Sequence, residues 1–201
     1  MLERKWRHDI SNIVVPVLIL FIAMFINMAA GRISFSSSPD VRLRQSVRGE
    51  IPVRFSALDM YRVRRALRWR GHAKMIARRF GRDWRDIIAQ IAIESSGDHR
   101  AVSLSRAQGL MQVKRSTLEG DIGRPELNLF HPWEGVWAGV RYMNMLRDRY
   151  GYQSLHEQLV AYHDGPGENG AQKFLARHAP EEHFYVRRFL RARAALDDIL
   201  R

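Results

Sequence analysis

A run of 22 residues without a charged side chain, residues 10–31, constrains this chain more than any other feature. A helix needs about 20 apolar residues to cross the hydrocarbon core of a bilayer, so the run is long enough to span one. We therefore predict a single retained transmembrane helix here, after a short basic stub. A cleaved signal peptide is the alternative, but its apolar core is usually about 7–15 residues long, and Met28-Ala29-Ala30 is a poor cleavage site.

The basic side chains are concentrated directly after this run. Residues 32–88 carry 15 basic and 5 acidic side chains, whereas residues 89–201 carry 15 and 14. Such asymmetry argues against a uniformly basic nucleic-acid-binding domain, and we predict no nucleic-acid partner. The basic stretch is either a solvated helix face or a surface that contacts anionic headgroups or an anionic polymer.

The sequence divides into three parts. Residues 1–31 are predicted to form the stub and the anchor, residues 32–56 a basic juxtamembrane linker, and residues 57–201 a mainly α-helical domain. Alternation of strand length is not apparent in the domain. Periodicity and capping residues predict helices that begin at Ala57, run from Asp83 to a break at Gly97, cover residues 132–150, follow the capping box of Ser154 and Glu157, and cover residues 180–200.

Glu94 is the most informative residue of the domain. It follows Ile91 by three positions and Ile87 by seven, so it projects from the apolar side of its predicted helix. A carboxyl group in that position is either paired as a structural group or partly dehydrated with a raised pKa. In the second case it is a proton donor near neutral pH.

Three short motifs follow Glu94 and its neighbour Ser95: Ala101-Val102-Ser103, Gly109-Leu110-Met111-Gln112 and Ala161-Tyr162-His163-Asp164-Gly165. In this order they resemble the soluble-lytic-transglycosylase family, whose pattern is E-S, a serine, G-L-M-Q and A-Y-N-x-G. The chain is similar in particular to the membrane-bound endo-type members. The resemblance covers roughly residues 57–196 and implies a goose-type lysozyme-like fold.

The resemblance also implies roles for five residues. Glu94 matches the single catalytic acid/base, and Ser103 matches a serine that contacts the N-acetylated sugar of the substrate. Gln112 matches a glutamine in the cleft near the glutamate, and Tyr162 matches the tyrosine of the A-Y-N motif. Met111 lines the cleft in such enzymes, although core packing is an equally good interpretation here.

The chain departs from the family pattern in two ways. His163 stands where the family usually has asparagine, which changes the hydrogen bonding expected beside Tyr162. Membrane-bound relatives often carry a lipidated cysteine, and this chain has no cysteine at all. The predicted transmembrane helix takes the place of that lipid anchor.

The activity that the resemblance implies is cleavage of peptidoglycan between N-acetylmuramic acid and N-acetylglucosamine, with a 1,6-anhydro end as product and without metal or cofactor. Because that substrate lies outside the cytoplasmic membrane, the expected location is a single-pass inner-membrane protein with its domain in the periplasm. The expected partners are the glycan strands and, through the anchor, the membrane. The sequence identifies no protein partner in wall turnover or in a secretion apparatus.

Two other functions remain open at this stage. A lysozyme-type muramidase hydrolyses the same bond and normally needs a second carboxylate, for which Asp98, Asp164 and Glu168 are the candidates. The other is a membrane-tethered protein that binds the wall without turnover.

Overall fold

The structure, a computed structural model, describes residues 53–201. The predicted stub, the predicted transmembrane helix and the linker as far as residue 52 lie outside the described residues. Among residues 53–201, the helices are all too short or too polar to cross a membrane.

The described part of the chain is mainly α-helical, as predicted. Two single helical turns, Leu67–Trp69 and Pro180–Glu182, and a wider turn, Leu118–Ile122, lie between the helices. Strand pairing in this part is limited to two isolated bridges, from Gln108 to Val102 and to Val113. The helices are α1 (Ala57–Ala66), α2 (Arg70–Phe80), α3 (Trp84–Ser95), α4 (Arg115–Thr117), α5 (Pro132–Asp148), α6 (Leu155–Asp164), α7 (Ala171–Leu175) and α8 (Phe184–Ile199).

Several helix ends follow the capping residues that the sequence predicted. The Asp83 carboxylate accepts from the Arg85 N–H at the start of α3, and Gly97 follows the end of α3 with φ +75°. Ser154 and Glu157 form the predicted capping box of α6. These ends depend on hydrogen bonds between residues close in sequence, which is why the pattern located them.

The predicted helix over residues 180–200 is interrupted, and that prediction is corrected. His183 has extended backbone angles, and its Nδ1 accepts the N–H of Tyr185, so His183 caps a new helix that begins at Phe184. Pro180–Glu182 forms a separate turn before it. The helical region that begins at Ala57 is likewise broken, by the turn Leu67–Trp69.

Helix α3 is the central element of the domain. It contacts α1, α2 and α8, and residues 87–93 are all buried. Its first turn is tied to α8 because Arg193 donates to both Asp83 and Asp86. A helix held at its start and buried along its length projects the next residue, Glu94, from a rigid base.

Candidate active site

A cavity of about 430 Å³ opens where the C-terminal end of α3 meets the end of α6. Glu94, Ser103, Gln112 and Tyr162 all line it, so four of the five predicted site residues come together across 68 positions of sequence. The other lining residues are Ser105, Ala107, Val113, Lys114, Thr117, Tyr142, His163, Asp164 and Gly165.

The Glu94 carboxyl group combines burial with one strong hydrogen bond. Burial raises its pKa from 4.5 to about 7, while a hydrogen bond from Tyr185 and the positive charge of Arg188 act in the opposite direction. The Tyr185 hydroxyl donates to Glu94 Oε1 at 2.5 Å. Arg188 in turn is fixed by donating to the Ile93 carbonyl oxygen at 2.8 Å. Near neutral pH this site therefore holds a carboxyl group that can release its proton and then be stabilised as the anion.

Tyr162 lies beside Glu94 but its hydroxyl is already engaged. It donates to the Met111 carbonyl oxygen at 2.7 Å, and its ring packs against Tyr142 with centroids 5.4 Å apart. Burial, together with the negative charge of Glu94, raises the pKa of Tyr162 well above 10. Tyr162 therefore shapes the cavity wall as a neutral phenol and does not act as a base.

The side chain of Gln112 is fixed by the backbone. Its Nε2 donates to the carbonyl oxygens of Ala101 at 3.1 Å and Gly109 at 2.9 Å, which leaves its carbonyl oxygen as the atom that can accept from a ligand. Gln112 also has a φ of +48°, a region that few residues other than glycine adopt. Ser96 and Arg106 adopt the same backbone region without lining the cavity, so the hydrogen bonds of Gln112, and not this angle, define its place in the site.

Ser103 lies in a largely exposed loop at the cavity. Its Oγ accepts the Ala107 N–H at 3.0 Å and lies 3.1 Å from Ser105 Oγ. The hydroxyl is thus oriented by the loop. Either serine can donate in the bond between them, and Ser103 keeps its proton for a ligand when Ser105 is the donor. Leu104 between the two serines is fully exposed.

Met111 is not among the residues that line the cavity. Its side chain is fully buried, and a Cβ added to Gly139 would lie 2.6 Å from its Sδ. Of the two interpretations of this residue, the structure shows the one in which Met111 packs in the core. Its contribution to the site is its carbonyl oxygen, which orients Tyr162.

Tyr185, which donates to Glu94, is the residue of this site that the sequence did not predict. It lies on α8, 91 positions after Glu94, and in the sequence it is one of several aromatic residues of a helical stripe. A signal for its role would have required knowing that α8 packs on α3. Of the three candidate second carboxylates, only Asp164 lines the cavity; Asp98 and Glu168 do not.

Replacing Tyr185 by phenylalanine is expected to raise the pKa of Glu94 above its wild-type value of about 7. The lost hydrogen bond favours the ionised carboxyl group, so its removal shifts the equilibrium towards the protonated form. Carbon-13 NMR titration of the carboxyl groups measures this directly. Tyr150→Phe is the control, because the Tyr150 hydroxyl donates to Asp121 and does not line the cavity. An unchanged Glu94 titration in Tyr185→Phe contradicts this reading of the site.

Comparison with known families places the same residues in one domain. A family model described as Transglycosylase SLT domain matches residues 72–185, more than half of the chain. The matched region contains the whole of α3, each of the residues that line the cavity, and Tyr185 as its last residue.

Proposed function

The chain belongs to the transglycosylase SLT domain family, and from this membership and its cavity we propose that it cleaves the β-1,4 bond between N-acetylmuramic acid and N-acetylglucosamine and leaves a 1,6-anhydro-muramic acid end. The family indicates a peptidoglycan-cleaving activity of the lytic-transglycosylase type. The bond, the product and the acid/base residue are what we add. The observation that carries the proposal is the half-buried Glu94, with a pKa near 7, in a cavity with Gln112 and Ser103.

In the proposed mechanism Glu94 acts twice. Its protonated carboxyl group first donates to the glycosidic oxygen, and the bond from C1 to that oxygen breaks. The N-acetyl group of the substrate stabilises the positive charge that develops at C1. The Glu94 carboxylate then takes the proton of the C6 hydroxyl while O6 bonds to C1, which closes the anhydro ring and restores the acid. Water is not consumed, and the scheme uses no metal or cofactor.

The environment of Glu94 suits both steps. A pKa near 7 leaves a large fraction of the group protonated at neutral pH, as the first step requires. The carboxylate that remains after proton transfer accepts the hydrogen bond of Tyr185 and is attracted by the positive charge of Arg188. Those two contacts stabilise the charge that the reaction creates.

Ser103 and Gln112 suit the binding of an N-acetylated sugar. An acetamido group presents one N–H donor and one carbonyl acceptor. The Gln112 side-chain oxygen is an available acceptor, and the Ser103 hydroxyl is a donor when Ser105 supplies the proton of the bond between the two serines. We propose that the pair orients the muramic acid ring, while Tyr162 and the Met111 carbonyl oxygen form the wall behind it.

We also propose that residues 10–31 anchor the protein in the cytoplasmic membrane, with its N-terminus inside and its domain in the periplasm. The charges on the two sides of this segment do not select an orientation, since basic residues flank both ends. The proposed orientation follows instead from the substrate, because peptidoglycan lies outside the cytoplasmic membrane. No partner beyond the glycan strands and the membrane enters the proposal.

Mass spectrometry of the muropeptides released from purified peptidoglycan by the full-length chain tests the proposed reaction. We expect fragments that end in 1,6-anhydro-muramic acid and are lighter by one water than the corresponding hydrolysis products. Release of reducing ends alone would instead make the protein a muramidase. Binding without any release would favour the wall-binding alternative.

A further inference from the structure

Three ionisable side chains form a second cluster at the cavity, distinct from the pair of Glu94 and Tyr185. His163 and Asp164 end α6 and line the cavity, and His183 lies buried at the start of α8, only 5% exposed. The ligand atoms of the three side chains all lie within 4.8 Å of one another. His163 is also the position at which this chain departs from the asparagine of the family pattern.

The hydrogen bonds of this cluster converge on the Asp164 carboxylate, which accepts from both histidine rings. The N–H of Tyr185 donates to His183 Nδ1 at 3.3 Å, so the proton of neutral His183 sits on Nε2. His183 Nε2 lies 3.2 Å from Asp164 Oδ2 and donates to it. The other carboxylate oxygen, Asp164 Oδ1, lies 2.7 Å from His163 Nδ1, which therefore carries the proton of that ring.

This proton arrangement argues against a metal site at the same three residues. A metal bound at His183 Nε2 would need the ring proton on Nδ1, where the N–H of Tyr185 already points. Burial lowers the pKa of His183, against the opposing effect of Asp164, so this ring stays neutral and keeps its role as a donor. The cluster is satisfied as a chain of hydrogen bonds without an ion.

These hydrogen bonds leave His163 Nε2 as an acceptor. Among the described residues this nitrogen has no hydrogen-bond partner, and the His163 side chain, 38% exposed, lines the cavity. Its ring lies 5.0 Å, centroid to centroid, from the ring of Tyr185, whose hydroxyl bonds to Glu94. A carboxylate that orients an imidazole at the wall of a cleft, and leaves the second ring nitrogen without a partner, is the arrangement of a general base.

We propose that His163, oriented by Asp164, activates a water molecule in the cavity, so that the protein also hydrolyses the bond it cleaves and releases reducing muramic acid ends beside anhydro ends. This inference rests on the proposed function, because it needs Glu94 to open the glycosidic bond. An asparagine at this position cannot accept a proton from water. The C6 hydroxyl would then be the nucleophile that attacks C1.

The two reactions share their first step, the cleavage of the glycosidic bond, and differ in the group that then attacks C1. Glu94 gives its proton to the glycosidic oxygen, and the bond to C1 breaks. Water then attacks C1, the oxygen of that water forms the new C1–O bond, and His163 Nε2 takes one of its protons. Glu94 regains a proton from solvent and His163 returns its proton to solvent, so one water is consumed and no other reactant is needed.

The ratio of reducing to anhydro muramic acid ends in one digest tests the proposal, and it does not depend on how much of a variant is folded. The full-length chain digests purified peptidoglycan, and mass spectrometry counts new ends of both kinds above a blank without enzyme. We expect both ends from the wild type and a ratio about 100-fold or more lower in His163→Asn, since a general base typically contributes that much. Asp164→Asn should lower the ratio as well, because it disturbs the tautomer of His163.

His156→Asn is the matched control. His156 lies on the same helix and also bonds to a carboxylate, that of Glu181, but it does not line the cavity, so its ratio should equal that of the wild type. Anhydro ends without reducing ends from the wild type overturn this inference and leave the proposed function intact. An unchanged ratio in His163→Asn also overturns it. Reducing ends without anhydro ends would overturn the proposed transglycosylation instead.

Discussion

Replacing Glu94 by glutamine is expected to lower the release of anhydro muropeptides by about 1,000-fold or more. A single general acid or base contributes about 100- to 10,000-fold, and in the proposed mechanism Glu94 serves as both. Glutamine has nearly the same shape and still accepts the Tyr185 hydrogen bond, but it has no proton to transfer. The loss should therefore appear as a loss of rate rather than a loss of substrate binding.

The same variant should be more stable than the wild type above neutral pH. Because the folded protein raises the pKa of Glu94 from 4.5 to about 7, folding favours the protonated form. Below about pH 4.5 the Glu94 carboxyl group is protonated in both states and does not lower the unfolding free energy. As the pH rises from about 4.5 through about 7, the unfolding free energy of the wild type falls by up to about 3 kcal/mol. Glutamine cannot ionise, so its advantage should appear at about pH 8 and vanish at about pH 4.

Two measurements on the full-length chain in mild detergent check this pair of effects. Muropeptide release gives the rate, and denaturant unfolding at about pH 4 and about pH 8 gives the difference in unfolding free energy. Asp98→Asn is the control, since Asp98 is exposed, keeps its turn hydrogen bond to Arg100 as asparagine, and does not line the cavity. A Glu94→Gln variant that keeps more than about a tenth of the wild-type rate would show that another group supplies the proton.

The sequence predicted the features that depend on neighbouring residues. The caps at Asp83 and Ser154 formed because a side chain and the backbone N–H groups two or three positions later are close in any helix start. The placement of Glu94 on the apolar side of α3 followed from helical spacing alone. Its position in the cavity with Ser103, Gln112 and Tyr162 rested on the ordered motifs of the family.

The sequence pattern did not predict the features that depend on packing between elements far apart in the chain. The hydrogen bond from Tyr185 to Glu94 exists because α8 packs on α3, and periodicity shows only that Tyr185 belongs to an apolar stripe. Met111 belongs to a motif that lines clefts, yet Gly139 on α5 leaves space that its side chain fills. The periodicity placed His183 inside a helix over residues 180–200, whereas in the structure its ring caps the start of α8.

Gly109→Ala is expected to have the largest effect on stability, a loss of about 3–5 kcal/mol. Gly109 has a φ of +74°, and a Cβ added to it would lie 2.0 Å from the carbonyl oxygen of Leu129, far inside the contact distance. The neighbouring atom is backbone and cannot swing aside. A cost of this size is a large share of the 5–15 kcal/mol that usually separates folded from unfolded domains.

Two other glycines separate the two causes of that loss. Gly123 has a similar φ of +68° with nothing within 4 Å of an added Cβ, so Gly123→Ala should cost only the left-handed conformation, about 1–2 kcal/mol. Gly71 lies in α2 with open space around it, so Gly71→Ala should stabilise the protein by about 0.5–1 kcal/mol. Denaturant unfolding of the three variants measures the series.

The contact between Gly109 and Leu129 matters for the site because Gln112 follows within the same turn. The Gly109 carbonyl oxygen holds the Gln112 side chain, and the Met111 carbonyl oxygen between them holds Tyr162. A backbone shift that relieves the clash at residue 109 must therefore displace two walls of the cavity. If Gly109→Ala were no less stable than Gly123→Ala, the turn would be able to move away from Leu129, and its rigid support of Gln112 would have to be rejected.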